Sequence, residues 1–320
     1  MALVLGLPSK GRLQEQALTF LADCGLELRQ DGGERAYSAR LPAAPEVEIR
    51  LLSAGEIARA LAAGDLHAGV TGEDVLREAA PELSGVGLVR ALGFGRADLV
   101  VAAPQSWLDV ASMADLGEVC AEHRARTGRR LRVATKYVRQ AIGFFHAHGL
   151  DDFRIVESAG ATEGAPAAGA AEVVVDITTT GRTLAANHLK LLSDGLILRS
   201  EAQLAISLRA SWGETAQSEL ERLLHFMEAR TAAKAKRFVR VLTSPEQLAA
   251  AMAASAAYRE GESAEQFADG FGFYCEAAQA VDAALAVSPY ARGPVGVFEP
   301  SFLFNRAAGS VQRLRALLSG

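Results

Sequence analysis

Between residues 178 and 183 three threonines, a glycine, an arginine and a fourth threonine come two residues after a run of valines, a pattern suited to holding phosphate. The segment Glu172-Val-Val-Val-Asp-Ile-Thr-Thr-Thr-Gly-Arg-Thr183 reads as a buried parallel strand running into a turn. Val173, Val174 and Val175 are β-branched, and Leu184 to Leu189 returns to helical spacing. A strand-to-helix turn aims free backbone N–H groups and the positive end of the helix dipole at an anion. Gly181 lets the backbone come close, Thr178, Thr179, Thr180 and Thr183 offer hydroxyls, and Arg182 adds a guanidinium. Asp176 at the strand end is placed to hold ribose hydroxyls, so a phosphorylated ribose is the expected ligand. An ordinary capped helix start would use the same residue types, so other segments must decide.

Four further strand-to-helix turns carry small or charged residues. After Leu3 to Leu7, Lys10 and Arg12 flank Gly11, before a helix whose buried face is Leu13, Ala17, Phe20, Leu21 and Cys24. After Leu66 to Val70 come Thr71, Gly72, Glu73 and Asp74. After Leu131 to Ala134 come Thr135 and Lys136, then a helix near Ile142 and Phe145. After Phe153 to Val156 come Ser158 to Thr162, with Glu163 entering a short Ala-rich helix. Strands alternating with helices predict an α/β architecture with ligands at strand ends. A single Lys or Arg at a turn is usually just solvated. Three cationic turns, bearing Lys10 with Arg12, Lys136, and Arg182, describe a cleft that surrounds a polyphosphate from several sides.

Composition limits what such a cleft can serve. A chain of 320 residues, half of them hydrophobic, can bury a large core and form two domains. No apolar run approaches the roughly 20 residues that span a bilayer, so no membrane partner is expected. The start lacks secretory-signal architecture. Cys24, Cys120 and Cys275 are scattered and odd in number, which suits a reducing cytoplasm. A net charge of -5 without a basic block argues against nucleic acid. The six histidines show no metal spacing, so no structural zinc is expected, and no Gly-x-Ser-x-Gly nucleophile elbow occurs.

The tail differs in character. Leu220, Leu223, Leu224 and Met227 mark an amphipathic helix. Ser244-Pro-Glu-Gln247 and Ser263-Ala-Glu-Gln266 both have the spacing of capping boxes, which predicts that residues 244–286 are mainly helical. Asn305 is placed to cap a last helix carrying Val311, Leu314 and Leu317.

With these turns in order, the chain resembles the ATP phosphoribosyltransferases, which open histidine biosynthesis. Leu7-Pro-Ser-Lys-Gly-Arg-Leu13 resembles the family's Pro-Lys-Gly-Arg-Leu element, with Ser9 inserted. Ala68 to Leu76 and Arg132 to Tyr137 resemble its second and third elements, and Glu172 to Leu184 its loop for 5-phosphoribosyl-1-pyrophosphate. The likeness covers about residues 3 to 208. Val138-Arg139 departs from a Pro-Asn pair frequent in relatives, which bears on how the third helix begins.

The resemblance implies two lobes of the type II periplasmic-binding-protein kind plus a mainly helical C-terminal extension. Lobe I would hold residues 1–93 and 190–243, lobe II residues 94–189, and the extension residues 244–320. It also implies that adenine N1 of ATP displaces pyrophosphate from the ribosyl substrate. Lys10, Arg12, Lys136 and Asp176 would be the catalytic residues. Asp176 with residues Thr178, Thr179, Thr180, Gly181, Arg182 and Thr183 would hold phosphoribosyl pyrophosphate. Lys10, Gly11, Arg12, Thr71, Gly72, Glu73 and Glu163 would hold ATP, and Mg²⁺ would arrive on the substrate phosphates rather than in a protein site.

Glu73, Asp74 and Glu163 could equally cap helices. The family implies a homo-oligomer. Relatives with a feedback domain carry a mixed strand-helix module where this tail reads helical, so direct histidine inhibition is not expected. The chain instead resembles the short form, which works with a partner similar to histidyl-tRNA synthetase.

Two rival readings share these features. A type I phosphoribosyltransferase loop has adjacent acids, whereas here Val175 precedes Asp176 and Glu172 lies four residues away. A two-lobed effector-binding module would hold an anion without chemistry, but three cationic turns exceed what a small effector needs.

Overall fold

The computed structural model describes residues 2–30, 38–158, 160–259, 263–305 and 307–319. It divides into two compact units, Met1–Phe20 with Leu28–Gln217, and Leu21–Glu27 with Ser218–Gly320. No described helix is long and apolar enough to cross a membrane.

The first unit opens with β1 (Leu3–Pro8), α1 (Gly11–Asp23), β2 (Arg29–Gln30), β3 (Ser38–Arg40), β4 (Val47–Leu52), α2 (Ala54–Ala63), β5 (Ala68–Gly72), α3 (Glu73–Ala79) and β6 (Val86–Ala91). The chain then builds a second sheet from β7 (Ala97–Pro104), α4 (Met113–Thr127), β8 (Leu131–Thr135), α5 (Val138–Ala147), β9 (Phe153–Glu157), β10 (Val173–Thr178), α6 (Arg182–Ala186) and β11 (Leu189–Ser200). β12 (Ala202–Ser207) rejoins the first sheet, whose order is β2-β3-β4-β1-β5-β12-β6, while the second runs β11-β7-β10-β8-β9.

Each sheet is mixed. β1 lies parallel to β4 and β5, with Leu3 opposite Val47 and Leu5 opposite Ala68, and β12 runs antiparallel to β5 and β6. The valines of β10 are fully buried, but the strand is parallel to β8 on one side only and antiparallel to β7 on the other. Helix starts follow their local chemistry. Ser53 and Glu56 form a capping box on α2, and Ser112 and Asp115 form one on α4. Ile57, Ala58 and Leu61 of α2 are buried, and Phe145 of α5 joins Leu99, Val101, Leu131, Val133, Val173 and Val175 in the core of the second sheet.

The return to the first sheet departs from expectation. It falls at Glu201 rather than near Lys190, because β11 stays paired with β7 from Leu189 opposite Pro104 to Ser200 opposite Ala97. Register shifts between Leu191 and Leu196, and again between Leu196 and Leu198, erase the alternation by which a strand is read from sequence. Likewise Glu163 enters no Ala-rich helix but a single 3₁₀ turn, Thr162–Gly164.

The second unit contains most of α7 (Glu214–Ala235), then β13 (Lys236–Leu242), α8 (Pro245–Ser255), β14 (Glu265–Phe267), β15 (Gly270–Glu276), α9 (Ala280–Val287), β16 (Gly296–Phe298) and α10 (Gly309–Ser319). The expected helices are present, yet an antiparallel sheet of order β14-β15-β13-β16 accompanies them. Val239, Val241, Phe271, Phe273 and Cys275 pack with Ala251 of α8 and Ala283 and Val287 of α9. The tail is therefore a mixed strand-helix module, and residues 218–243, expected in the first lobe, group with it.

Two capping expectations fail. Ser263-Ala-Glu-Gln266 leads into the edge strand β14 rather than a helix. Asn305 lies four residues before α10, whose Ser310 amide and hydroxyl donate to the Glu228 carboxylate instead. At α10 a tertiary partner supplies the cap that the local sequence was expected to supply.

Candidate active site

The C-terminal ends of β1, β8 and β10 carry the residues singled out by sequence, which is where open α/β sheets hold ligands. Lys10 from the turn after β1 and Lys136 from the turn after β8 line one cleft of about 760 Å³. They come from different sheets, and Ser53, Arg59, Glu78 and Arg139 complete the walls around them. Both lysines are exposed and make no salt bridge with a described residue. The Lys136 ammonium sits 5.0 Å from the centre of the Tyr137 ring, which fixes its direction.

Beneath Lys136 lies a buried polar clamp. Tyr137 donates its hydroxyl to Asp74 Oδ2 at 2.5 Å, and Ser200 donates to Asp74 Oδ1 at 2.7 Å. The Asp74 amide donates to Ser200 Oγ, and Gln140 donates to the Asp74 carbonyl. Burial first, and then the Asp74 charge, push the Tyr137 phenol far above its ordinary range, so it remains a donor. Gly72 is needed at this point, since a Cβ there would lie 2.3 Å from Asp74 Oδ1. The clamp links α3 on the first sheet to the β8–α5 turn on the second.

The departure at Val138-Arg139 has a structural answer. Tyr137 gives α5 no side-chain cap, and the Arg139 and Gln140 amides donate instead to the Glu78 carboxylate of α3. Arg139 also donates to the Glu78 and Ala79 carbonyls at the end of that helix. A capping carboxylate has been supplied from another helix.

Asp176 is half-buried in this neighbourhood. Burial raises its carboxyl above the usual range, opposed by the Ile177 amide and by Lys136, while Glu163 adds to the rise. Lys136, Asp176 and Glu163 therefore act on one another electrostatically. Further along the loop, Thr178 Oγ accepts from the Gly181 amide at 2.8 Å, and Thr179 donates to the Arg96 carbonyl at 3.3 Å. Gly181 adopts φ +72°, which lets the chain turn into the short α6. Thr180, Arg182 and Thr183 are exposed.

Other expected ligand residues lie elsewhere. Arg12 is exposed on the first turn of α1, beside the exposed Gly11. Thr71 and Gly72 are buried and present no surface to ATP; the Thr71 hydroxyl donates to the Ala54 carbonyl. Glu73 accepts from Arg77 at 2.8 Å and from Gln203 at 3.2 Å, so its carboxylate is engaged within the fold. The second element thus supplies Asp74 to the clamp, while its Thr71 and Gly72 are buried and its Glu73 is engaged within the fold.

Sequence reasoning missed Ser53, Arg59 and the pairing of Glu78 with Arg139. For Ser53 a signal existed. Ser53-Ala-Gly-Glu56 follows the alternating Val47 to Leu51 and marks a further strand-to-helix turn.

The sequence profile of the ATP phosphoribosyltransferase family matches residues 53–229, more than half of the chain. The chain belongs to this family. It is 52% identical to the ATP phosphoribosyltransferase of Caulobacter vibrioides over 99% of this chain and 98% of that protein. With that of Bradyrhizobium diazoefficiens it shares 44% identity, over 98% of each. Among solved structures, a chain of the ATP phosphoribosyl transferase (HisG:HisZ) complex from Thermotoga maritima superposes with a TM-score of 0.55 at 24% identity. That superposition covers 70% of this chain and 95% of the other, and shares the fold. The type I rival meets a physical objection as well, since Glu172 sits at the far end of β10, paired with Arg132 and remote from Asp176. The enzyme is an ATP phosphoribosyltransferase, a transferase of the first step of histidine biosynthesis.

Proposed function

We propose that this ATP phosphoribosyltransferase carries out its reaction in the cleft walled by Lys10 and Lys136, with Asp176 and the Thr178–Thr183 loop holding the ribosyl substrate. The observation that carries the reading is that two lysines with no salt bridge to a described residue, one from each sheet, converge on one cleft near the half-buried Asp176 carboxyl. The N1 lone pair of adenine forms the new bond to C1 of the ribose. The C1–O bond breaks with its electron pair leaving on pyrophosphate. No strong base is needed, so the barrier falls through positioning and through stabilising the departing negative charge.

Lys136 faces Asp176, so it suits the pyrophosphate, while Lys10 and Arg12 suit the ATP phosphates. Asp176 orients the ribose hydroxyls, and Thr180, Arg182 and Thr183 hold the 5-phosphate. Glu163, close to Asp176, suits the sugar or adenine end of ATP. Among the described residues no three or more His, Cys, Asp or Glu side chains gather to hold a metal. The donors nearby, Asp176 and Glu163, fit Mg²⁺ that takes most of its ligands from substrate phosphates, where it neutralises their charge.

Cys24, Cys120 and Cys275 are buried and form no disulfide with a described residue, which suits a cytoplasmic enzyme. A homo-oligomer and a histidyl-tRNA-synthetase-like partner remain part of the reading, the second prompted by the HisG:HisZ complex from Thermotoga maritima. Direct histidine inhibition is set aside only on the reading of a mainly helical tail, and the four-stranded sheet around β13 removes that ground.

Incubation with ATP, Mg²⁺ and phosphoribosyl pyrophosphate, with and without such a partner and with and without histidine, is expected to release pyrophosphate and give N1-phosphoribosyl-ATP. Lys136→Ala is expected to lose turnover while keeping its melting temperature. No product under any of these conditions would overturn the assignment, and a Lys136→Ala enzyme of full rate would remove Lys136 from it.

A further inference from the structure

The strands that end in Lys136 and Asp176 begin at a second concave site. Near the N-terminal ends of β8 and β10, Arg132 and Glu172 lie with Arg129, Arg130, Arg154 and His123 around a cavity of about 690 Å³. Its floor is a forked ion pair. Glu172 accepts from Arg132 Nε at 3.1 Å, from Nη2 at 2.5 Å and from the Arg132 amide at 2.7 Å. Burial alone would raise the Glu172 carboxyl, but the hydrogen bonds from Arg132 hold it below the usual range. The one carboxylate of the cavity is therefore committed to one arginine.

Arg129, Arg130 and Arg154 make no salt bridge with a described residue. The C-terminal dipole of α4 accounts for Arg124 and Arg126 in its last turn. It does not account for Arg154, which comes from β9. The turn that presents Arg129 and Arg130 is itself fixed, since Thr127 Oγ donates to the His123 carbonyl at 2.7 Å and accepts from the Arg129 amide at 3.1 Å. Uncompensated guanidinium groups gathered in a concavity repel one another, and an anion relieves that repulsion. Their planar forks match phosphate oxygens, and the cavity has the size of small-ligand sites, roughly 300–1,000 Å³.

We propose that this cavity is a second site, distinct from the catalytic cleft, that binds the polyphosphate group of a small molecule. Nucleoside triphosphates and inorganic polyphosphates share that group. A nucleic acid would need a broad basic face, whereas these arginines line one concavity on a chain of net charge -5.

The test is calorimetric titration of the full-length protein with inorganic tripolyphosphate and, separately, with ATP, at about 0.15 M salt, where attraction between exposed charges is screened. Wild type is expected to show two classes of site. Arg129→Gln/Arg130→Gln/Arg154→Gln replaces three exposed side chains, and is expected to keep its melting temperature and turnover while losing one class, weakened at least about tenfold. Lys10→Ala/Lys136→Ala is expected to lose the other class and keep this one, so failure of the cleft assignment and of this one can be told apart. Two classes with both ligands identify a nucleotide site, and two with tripolyphosphate alone identify an inorganic polyphosphate site. Binding in which the triple substitution removes no class of site, whether wild type shows one class or two, would overturn the proposal.

Discussion

Charge is handled in opposite ways in the second unit and in the cleft of the first. In the second, the Asp23 carboxylate is gripped by Arg230 at 3.0 Å and by Lys234, Lys236 pairs with Glu276 at 2.7 Å, and Arg315 with Glu221 at 2.6 Å. In the cleft of the first unit, Lys10 and Lys136 stand exposed without such partners, directly above a clamp in which Asp74, Tyr137 and Ser200 satisfy one another. Paired charges hold elements together and leave no field for a ligand. Unpaired cations held side by side lower stability and create a positive potential, a combination retained where an anion must bind. The contrast separates residues that hold the fold from residues that await substrate.

The strongest way to break this contrast is Lys136→Ala. Loss of a charge aimed at the departing pyrophosphate is expected to reduce kcat by about a hundredfold or more, with an unchanged melting temperature. A preserved rate with a lowered melting temperature would make Lys136 one more structural cation. Next in size is Tyr137→Phe, which strands an oxygen of the buried Asp74 and is expected to cost about 1–3 kcal/mol in denaturant unfolding. Little change there would mean that the clamp is ornamental.

Arg230→Ala opens the Asp23 clasp, whose side chains are a fifth to a third exposed, and should cost about 1 kcal/mol or less. Lys234 first, and then Arg230, hold the Asp23 carboxyl below its usual range. The clasp therefore stabilises the fold above the unfolded carboxylate value of about 3.9 and is lost as pH falls through the lower folded value. Melting curves across that range should show Asp23→Asn and wild type converging in acid.

Asp176 sharpens the comparison with the smallest expected effect and the opposite sign. Burial raises its folded value, so between about 3.9 and that higher value rising pH costs stability that is not recovered at neutrality. Asp176→Asn should melt slightly higher than wild type at neutral pH, by about 2 °C, with the gap closing in acid and activity falling at neutral pH. A variant that melts lower at neutral pH would show that the carboxylate serves the fold rather than the ligand.

What was legible differs between these regions for physical reasons. Turns after β1, β8 and β10 could be read because a buried strand, a small or charged turn and a helix face follow one another in sequence, and local chemistry governs all three. Thr71 and Glu73 carry the same residue types, yet one is buried and the other held by Arg77 and Gln203. Nothing local distinguishes an interior strand end from one that opens on a cleft. β15 escaped because Gly270 and Gly272 dilute its alternation, while the Ser263 to Gln266 spacing imitates a helix start.

The sequence by itself determined the chemistry available: cations and hydroxyls at strand ends, a lone acid at Asp176, and the order of elements that identifies the family. Those depend on residue type and short-range spacing, which the chain carries everywhere. Tertiary structure alone decided which turns meet. Lys10 and Lys136 lie 126 positions apart in sequence and share a cleft. The same folding brought Glu78 to cap α5, committed Asp74 to Tyr137 and Ser200, and gathered Arg154 with Arg129 and Arg130. Charge acts through space, so whether a lysine waits for substrate or a carboxylate joins two helices is settled by the partners that folding brings within a few ångströms.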